Sequence, residues 1–313
     1  MGEYPVRRVE MRVREADAGL PLFSLLVSRF SYHSPERWRA LILGGALLLN
    51  GSPATEGSLL SEGDRITYLP PSSEEPPVDT RYGILWENGE VLAVNKSGNL
   101  PCHPAGRYFA HTLWGVLKRD GILPAPVFIH RLDRETSGLV LIAKTPGAAR
   151  KWSLAFQNRS VQKEYTVWVE GEFPLELSAR GWLHHDGTSA VRKKRAFTLA
   201  ERGSLPPAPD SEWAETCFTR TRFCGGISRL TVSLGTGRTH QIRATLRSLG
   251  FPVVGDKLYG VDETLFLRFL EGKLTSGDRL SLRLPRQALH ASRLTLAGLD
   301  LRAPLPPDLL SLP

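Results

Sequence analysis

Between two short apolar runs the chain carries a polar knot that an ordinary hairpin has no use for. Val127-Phe128-Ile129 leads in, and Leu139-Val140-Leu141-Ile142-Ala143 leads out. Both runs are rich in β-branched or bulky residues, which predicts two buried strands. The nine residues between them, His130-Arg131-Leu132-Asp133-Arg134-Glu135-Thr136-Ser137-Gly138, hold two acids, two arginines, a histidine and two hydroxyls. A turn needs only a few turn formers. The knot therefore reads either as a charged surface loop closed by Gly138 or as an active-site loop with one carboxylate aimed at a substrate.

Composition narrows the class. The chain has 313 residues, 41% hydrophobic and 23% charged, enough for a large core and one or two domains. The longest apolar run, Ala40 to Leu49, is broken by Gly44-Gly45 and is too short to span a membrane. The first residues alternate in charge, so no signal peptide is expected. Cys102, Cys217 and Cys224 form no C-x-x-C pair and leave one thiol over. That argues for a reducing cytoplasm and against a zinc site or disulfide framework.

The net charge of +8 suggests a polyanionic partner. Residues 1–70 hold eight basic and eight acidic side chains, and residues 71–80 hold three acids and no base, which leaves +11 to residues 81–313. Residues 1–70 read as a small module. Leu20 to Leu26 predicts a first helix. Ser34-Pro35-Glu36 starts a second, with a hydroxyl cap and a proline where its missing N–H does no harm. Trp38, Leu41 and Ile42 give that helix its apolar stripe, and Gly44-Gly45 stops it. Ala46 to Leu49 and Arg65 to Leu69 read as strands, with a tight turn at Asn50-Gly51. Residues 71–80, rich in proline and acid, read as a stiff solvated linker. A larger domain follows over 81–313. It opens on a hairpin, Ile84 to Lys96, turning at Asn88-Gly89, and holds helices over His111–Leu117 and Gly147–Phe156. Strands are expected at Tyr165–Val169 and Ser228–Val232, and Gly203 to Asp210 looks like an inserted or disordered loop.

The motifs resemble one family. His130-Arg131-Leu132-Asp133 followed by Thr136-Ser137-Gly138-Leu139 resembles the catalytic signature of the RluA-type pseudouridine synthases, H-R-L-D-x-x-T-S-G. Lys163-Glu164-Tyr165 resembles that family's K-x-Y. Thr236-Gly237-Arg238-Thr239-His240-Gln241-Ile242-Arg243 resembles its T-G-R-x-H-Q-I-R, and Gly250 to Gly260 matches the G-x-P-x-x-G-D-x-x-Y-G that follows. Asn95 to Pro104 resembles the first motif with Ser97 in place of a proline, and is expected to shape the pocket. Thr245 stands where a histidine is common. The resemblance covers about residues 81–313. Residues 1–70 are similar to the S-four-type RNA-binding module, through two short helices, Gly45-Ala46-Leu47-Leu48-Leu49-Asn50-Gly51 and a late Gly63-Asp64. Their zero net charge leaves any grip on RNA to residues such as Arg37 and Arg39.

The resemblance implies an α+β fold: a mixed, mainly antiparallel central sheet flanked by helices, crossed by a basic cleft, with a small N-terminal α/β RNA-binding module. It implies RNA uridine isomerisation on ribosomal or transfer RNA by Asp133, with Tyr165 against the base and Arg243 paired to the aspartate. Three routes are open to the carboxylate: attack on the sugar, attack on the base, or promotion of glycosidic cleavage. His130, Arg131, Thr136, Arg238, His240 and the basic run Arg192-Lys193-Lys194 are expected substrate contacts. Arg131 is a candidate to replace the displaced base or, alternatively, to form a salt bridge within its loop, and Arg238 is the rival partner for Asp133. No metal, nucleotide or flavin is implied, and a cytoplasmic monomer away from membranes is expected. The competing class is a non-catalytic RNA-binding or ribosome-assembly protein on the same fold, which would lack Asp133, Tyr165 or Arg243. A hydrolase using His130 and Asp133 would need a second acid, a serine elbow or a metal set, and no such set stands at suitable spacing.

Overall fold

The computed structural model describes residues 4, 7–30, 32–71, 75–158, 160–296 and 298–313. The chain divides into two compact units.

The smaller unit comprises Gly2–Pro76 together with Ala105–Ala110. Strands β1 (Val9–Arg12), β2 (Leu47–Leu49), β3 (Ser52–Pro53) and β4 (Arg65–Tyr68) make an antiparallel sheet in the order β1-β4-β2-β3. Helices α1 (Leu22–Arg29) and α2 (Pro35–Leu43) pack their buried leucines and Trp38 on it. The Ser34 hydroxyl accepts the Arg37 N–H, and Pro35 occupies the first turn. Asn50 and Gly51, both at positive φ, close the turn between β2 and β3. Strand β1 has no counterpart in the sequence reading. Its side chains are mostly exposed, so hydrophobic alternation never marks it. Of the expected linker, Ser72, Ser73 and Glu74 lie outside the described residues. Glu75 is not free in solvent: its carboxylate accepts the amides of Phe109 and Ala110. This joins a segment assigned by sequence to the second domain to the first unit instead.

The larger unit comprises Pro77–Pro104 and His111–Pro313. Its strands are β5 (Tyr82–Glu87), β6 (Val91–Lys96), β7 (Val127–Phe128), β8 (Ser137–Ala143), β9 (Gln162–Glu170), β10 (Glu176–His185), β11 (Arg195–Leu199), β12 (Glu212–Cys224), β13 (Ile227–Leu234), β14 (Leu289–Leu296) and β15 (Leu299–Arg302). They form one sheet in the order β11-β10-β12-β13-β9-β14-β8-β6-β5, with β15 beside β14 and β7 beside β8. Helices α3 (Leu113–Arg119), α4 (Pro146–Gln157), α5 (Gln241–Ser248), α6 (Thr264–Leu270), α7 (Ser276–Leu282) and α8 (Pro307–Leu310) complete the unit. Among the described strands the sheet is antiparallel at every pairing but one. There β14 runs parallel to β8, with His290 opposite Ser137 and Ala291 opposite Gly138.

That junction explains two residues of the polar knot. Gly138 has φ 110°, and a Cβ there would run into the Ala291 backbone. Only glycine lets the strands meet this closely. The Ser137 hydroxyl bonds His290 Nδ1 at 2.9 Å. Strand β8 is buried along its whole length, as the two-strand reading expects, and β7 pairs with it antiparallel. The loop at 203–210 is irregular, yet its end is fixed: Asp210 accepts from Arg195 and from the His185 amide. No helix of the described residues is long and apolar enough to cross a membrane.

Candidate active site

The loop between β7 and β8 is built so that one carboxylate remains available. Below it, Lys96 is almost wholly buried and donates to the carbonyls of Ser97 and Arg134 at 2.8 and 3.1 Å. Burial lowers its pKa to about 8. Leu100 N–H also donates to the Arg134 carbonyl, and Cys102 Sγ exchanges two 3.4 Å hydrogen bonds with the Leu132 backbone. Glu135 is held by Lys257, at 2.9 and 3.0 Å, and by Arg134. Thr136 is buried and accepts from Gln287 Nε2. Asp133, in contrast, keeps a third of its side chain open to solvent, at 33%.

Helix α5 supplies its counter-ion. Arg243 lies in the first turns of that helix, buried, and its guanidinium bridges two acids. Nη1 donates to Asp133 Oδ2 at 2.7 Å, while Nε and Nη2 donate to Asp256 at 2.6 and 2.9 Å. Asp256 is fully enclosed and also accepts the Leu258 and Tyr259 amides. The guanidinium lies 4.8 Å from the centre of the Tyr259 ring. Burial pushes the Asp133 carboxyl up, but the charge and hydrogen bond of Arg243 outweigh it and hold it below the ordinary value. Asp133 is therefore ionised at neutral pH, as a nucleophile must be.

His240 precedes α5 in a left-handed conformation, φ 57° and ψ 18°. Its Nδ1 lies 2.9 Å from Tyr259 Oη, which accepts the Arg195 amide at 2.9 Å. The phenol proton is thereby left for Nδ1, which assigns the other proton to Nε2. Nε2 faces Asp133 Oδ1 at 3.8 Å. Burial lowers the pKa of His240 to about 4, so the ring is neutral. Tyr165, on β9 opposite Val232 and Ala291, packs against the main core. Its pKa is raised by burial and then by the charge of Asp133, so the phenol keeps its proton.

The structure thus brings Asp133, Arg243 and His240 together, and places Tyr165 within reach of the Asp133 charge. Four expected substrate contacts are otherwise engaged. His130 accepts the Leu141 N–H at Nε2 and stacks on Phe156 at 4.8 Å. Burial lowers its pKa to about 3, and its role is to support β8. Thr136 braces the loop through Gln287. Lys194 is tied to Glu263 at 2.6 Å and Asp186 at 3.5 Å. Arg238 turns away from Asp133, to Glu212 at 3.2 Å and the Trp213 carbonyl. Arg131 is exposed; it makes no salt bridge within its loop but meets His103 Nε2 at 3.1 Å. Arg192 is exposed, and Lys193 lies 5.1 Å from the Phe266 ring. Sequence reasoning assigned no role to Asp256, Tyr259 or Lys96. The signal was there for all three: Asp256 and Tyr259 are fixed letters of the G-D-x-x-Y-G pattern, and Lys96 stands in the first motif, just before Ser97.

Comparisons with known proteins agree with this geometry. A family described as RNA pseudouridylate synthase matches residues 90–248. An uncharacterized RNA pseudouridine synthase of Chlorobaculum parvum is 32% identical over 290 residues, 87% of this chain and 86% of that protein. The mitochondrial tRNA pseudouridine(32) synthase of Saccharomyces cerevisiae is 31% identical over 249 residues, 77% of this chain. The chain spans about half the length of that yeast relative, 51%. Among solved structures, human RNA Pseudouridylate Synthase Domain Containing 1 superposes with a TM-score of 0.57 at 24% identity, covering 75% of this chain and 89% of that one. That likeness shows the fold.

Proposed function

Because the chain belongs to the RNA pseudouridylate synthase family, we propose that it isomerises uridines of transfer or ribosomal RNA to pseudouridine, with Asp133 as the reacting group. The observation that carries this reading is the Asp133–Arg243–Asp256 chain. It holds one ionised carboxylate partly open to solvent while its counter-ion is anchored from behind. In the reaction the C1′–N1 glycosidic bond breaks and a C1′–C5 bond forms. The C5 proton leaves and N1 gains one, so atoms and electrons balance without an oxidant or a hydrolytic water. Asp133 assists cleavage as an anion, by attack on the sugar or on the base. Tyr165 is read against the base, where its protonated phenol can pack on the ring and donate a hydrogen bond, and the C5 proton is released to solvent.

The target uridine must leave its stack to reach the pocket, at a cost of a few kcal/mol that is smallest in loops. Arg131, exposed on the same loop as Asp133, is suited to stack in its place. Arg192 and Lys193 are the members of the basic run left for phosphate. The yeast relative's name assigns it a transfer RNA target, which supports that class here. We place the protein in the cytoplasm as a monomer, away from membranes. Its three free thiols support a reducing compartment.

The test is conversion of uridine in total transfer and ribosomal RNA, read by carbodiimide-dependent reverse-transcription stops. The parent chain is expected to create discrete stops and Asp133→Asn none, while both bind the RNA. Stops of equal strength from Asp133→Asn would remove Asp133 from the chemistry. Binding without any new stop by the parent chain would favour an RNA-binding or assembly role.

A further inference from the structure

The smaller unit carries a cluster of rings that runs from its core out to the surface. Phe30, Tyr32, His33, Trp38 and Tyr68 meet edge to face or tilted, with centroids 4.8 to 6.3 Å apart. Trp38 is buried and anchors the group. His33 Nε2 lies 3.1 Å from Tyr68 Oη, which braces the outer layer. Tyr32 stands at the rim and is 62% exposed. Apart from Phe223, at 44%, it is the only exposed aromatic side chain among the described residues.

Two positive charges act on the rings of this rim. Arg7 acts on Tyr32 and Tyr68, and Arg37 on His33 and Tyr68, in each case as a neighbouring positive charge. Among the described residues neither arginine forms an ion pair with an acid, although Arg7 lies 6.0 Å from the centre of the Phe109 ring. The nearby Glu36 is turned to Ser34 and its own amide. Arg39, in contrast, is already paired with an acid, Glu56, at 3.1 Å. The zero net charge of residues 1–70 therefore conceals an exposed ring in a cluster that feels two guanidiniums unpaired with acids among the described residues.

We propose that this rim is a stacking site for an unpaired RNA base, with Tyr32 as the platform and Arg7 and Arg37 on the flanking phosphates. The proposal rests on the reading of the chain as an RNA-modifying protein. It adds the class of RNA that the smaller unit takes, which is single-stranded sequence flanking the modified element. A free ring face binds any base, and the cations track the backbone. Burying a charged guanidinium against an apolar protein partner would instead leave it unpaired.

The test uses the full chain and two RNAs: a stem-loop alone, and the same stem-loop with a single-stranded tail. The tail is expected to tighten binding to the parent chain. Tyr32→Ala should remove roughly tenfold of that gain, in the range of one base–aromatic stack, and Tyr32→Phe should keep it. Arg37→Ala should flatten the dependence of log K on log salt by about 0.7, as for one phosphate contact on a single strand. Tyr32→Ala should leave that slope unchanged. Isomerisation of the tail-less stem-loop should be the same for all variants. A failure of the parent chain to modify any RNA would count against the isomerase reading alone. Equal tail-dependent binding by Tyr32→Ala, Arg37→Ala and the parent would overturn the stacking site and leave the rim to a protein partner.

Discussion

Arg243 holds two aspartates that differ in everything except charge. Asp256 is enclosed, takes the guanidinium in a two-pronged grip and also receives two backbone amides. Asp133 takes a single N–H from the same guanidinium and opens to solvent. A carboxylate shut off from solvent and given four donors is a structural fixture. Asp133, with fewer donors and a third of its side chain open, is ionised yet has lone pairs left for a substrate. The difference in chemical role therefore follows from hydrogen-bond count and access, not from distance to the cation.

The largest effect should come from exchanging each acid for its amide. Asp133→Asn is expected to lower turnover by at least about 10⁴-fold, as for loss of a nucleophile, while its melting temperature stays near that of the parent chain. Asp256→Asn should do the reverse, a clear loss of melting temperature with partial activity. A variant of Asp256 that is stable but as inactive as Asp133→Asn would break the distinction. Next in size is the shared cation. Arg243→Ala leaves two acids without their cation and should cost about 3–5 kcal/mol of stability by denaturant unfolding. Any surviving activity should move to higher pH, since the pKa of Asp133 rises without its cation. Arg243→Lys keeps the charge but loses the planar fork and should be milder.

A smaller effect is expected from pH. Both aspartates have depressed pKa values in the folded chain, so their contribution is complete above the ordinary carboxylate value near 4 and is lost only below it. His130, His240 and His290 are also depressed, to about 3, 4 and 4. Here the unfolded chain binds protons that the folded chain does not. Stability should therefore decline as pH falls below about 6.5; the histidine share of the decline ends between about 4 and 3, where loss of the carboxylate contribution takes over. Each histidine contributes at most about 1.4 kcal/mol per pH unit in that window. Thermal melts flat from pH 7 to 5 would contradict the neutral, buried assignment. The smallest effect is Tyr259→Phe, which removes the phenol that orients His240 and should cost about 1 kcal/mol. If His240 matters to Asp133, this variant should also change the pH profile of turnover, which a merely structural tyrosine would leave alone.

Much of this site is legible in the sequence, but unevenly. The loop between two strands, the pairing of Asp133 with Arg243 and the approach of Tyr165 all follow from short motifs whose letters are dense. Partnership is not legible for long side chains. Lys194 and Arg195 look the same in sequence as Arg192 and Lys193, yet two are tied to acids and two are left outward. Arg39 and Arg37 divide in the same way. Which cation meets an acid depends on side chains brought from 17 or 69 positions away, and only the fold sets that. Strand β1 was hidden because edge strands need not alternate, and the 105–110 segment because its anchor is a backbone contact to Glu75.

The parallel junction of β8 with β14 bears on how the protein comes into being. Gly138 and Ala291 are separated by most of the larger unit, yet they meet next to the loop that carries Asp133. Pairings of such long sequence separation form late, because the intervening loop must close first. During synthesis the first two-thirds of the chain can present the Asp133 loop without the strand that completes its frame. Activity should then arise in one late step, after residue 296 has left the ribosome. Nascent chains arrested before Leu289 should be inactive, even though Asp133 and Arg243 are both already made.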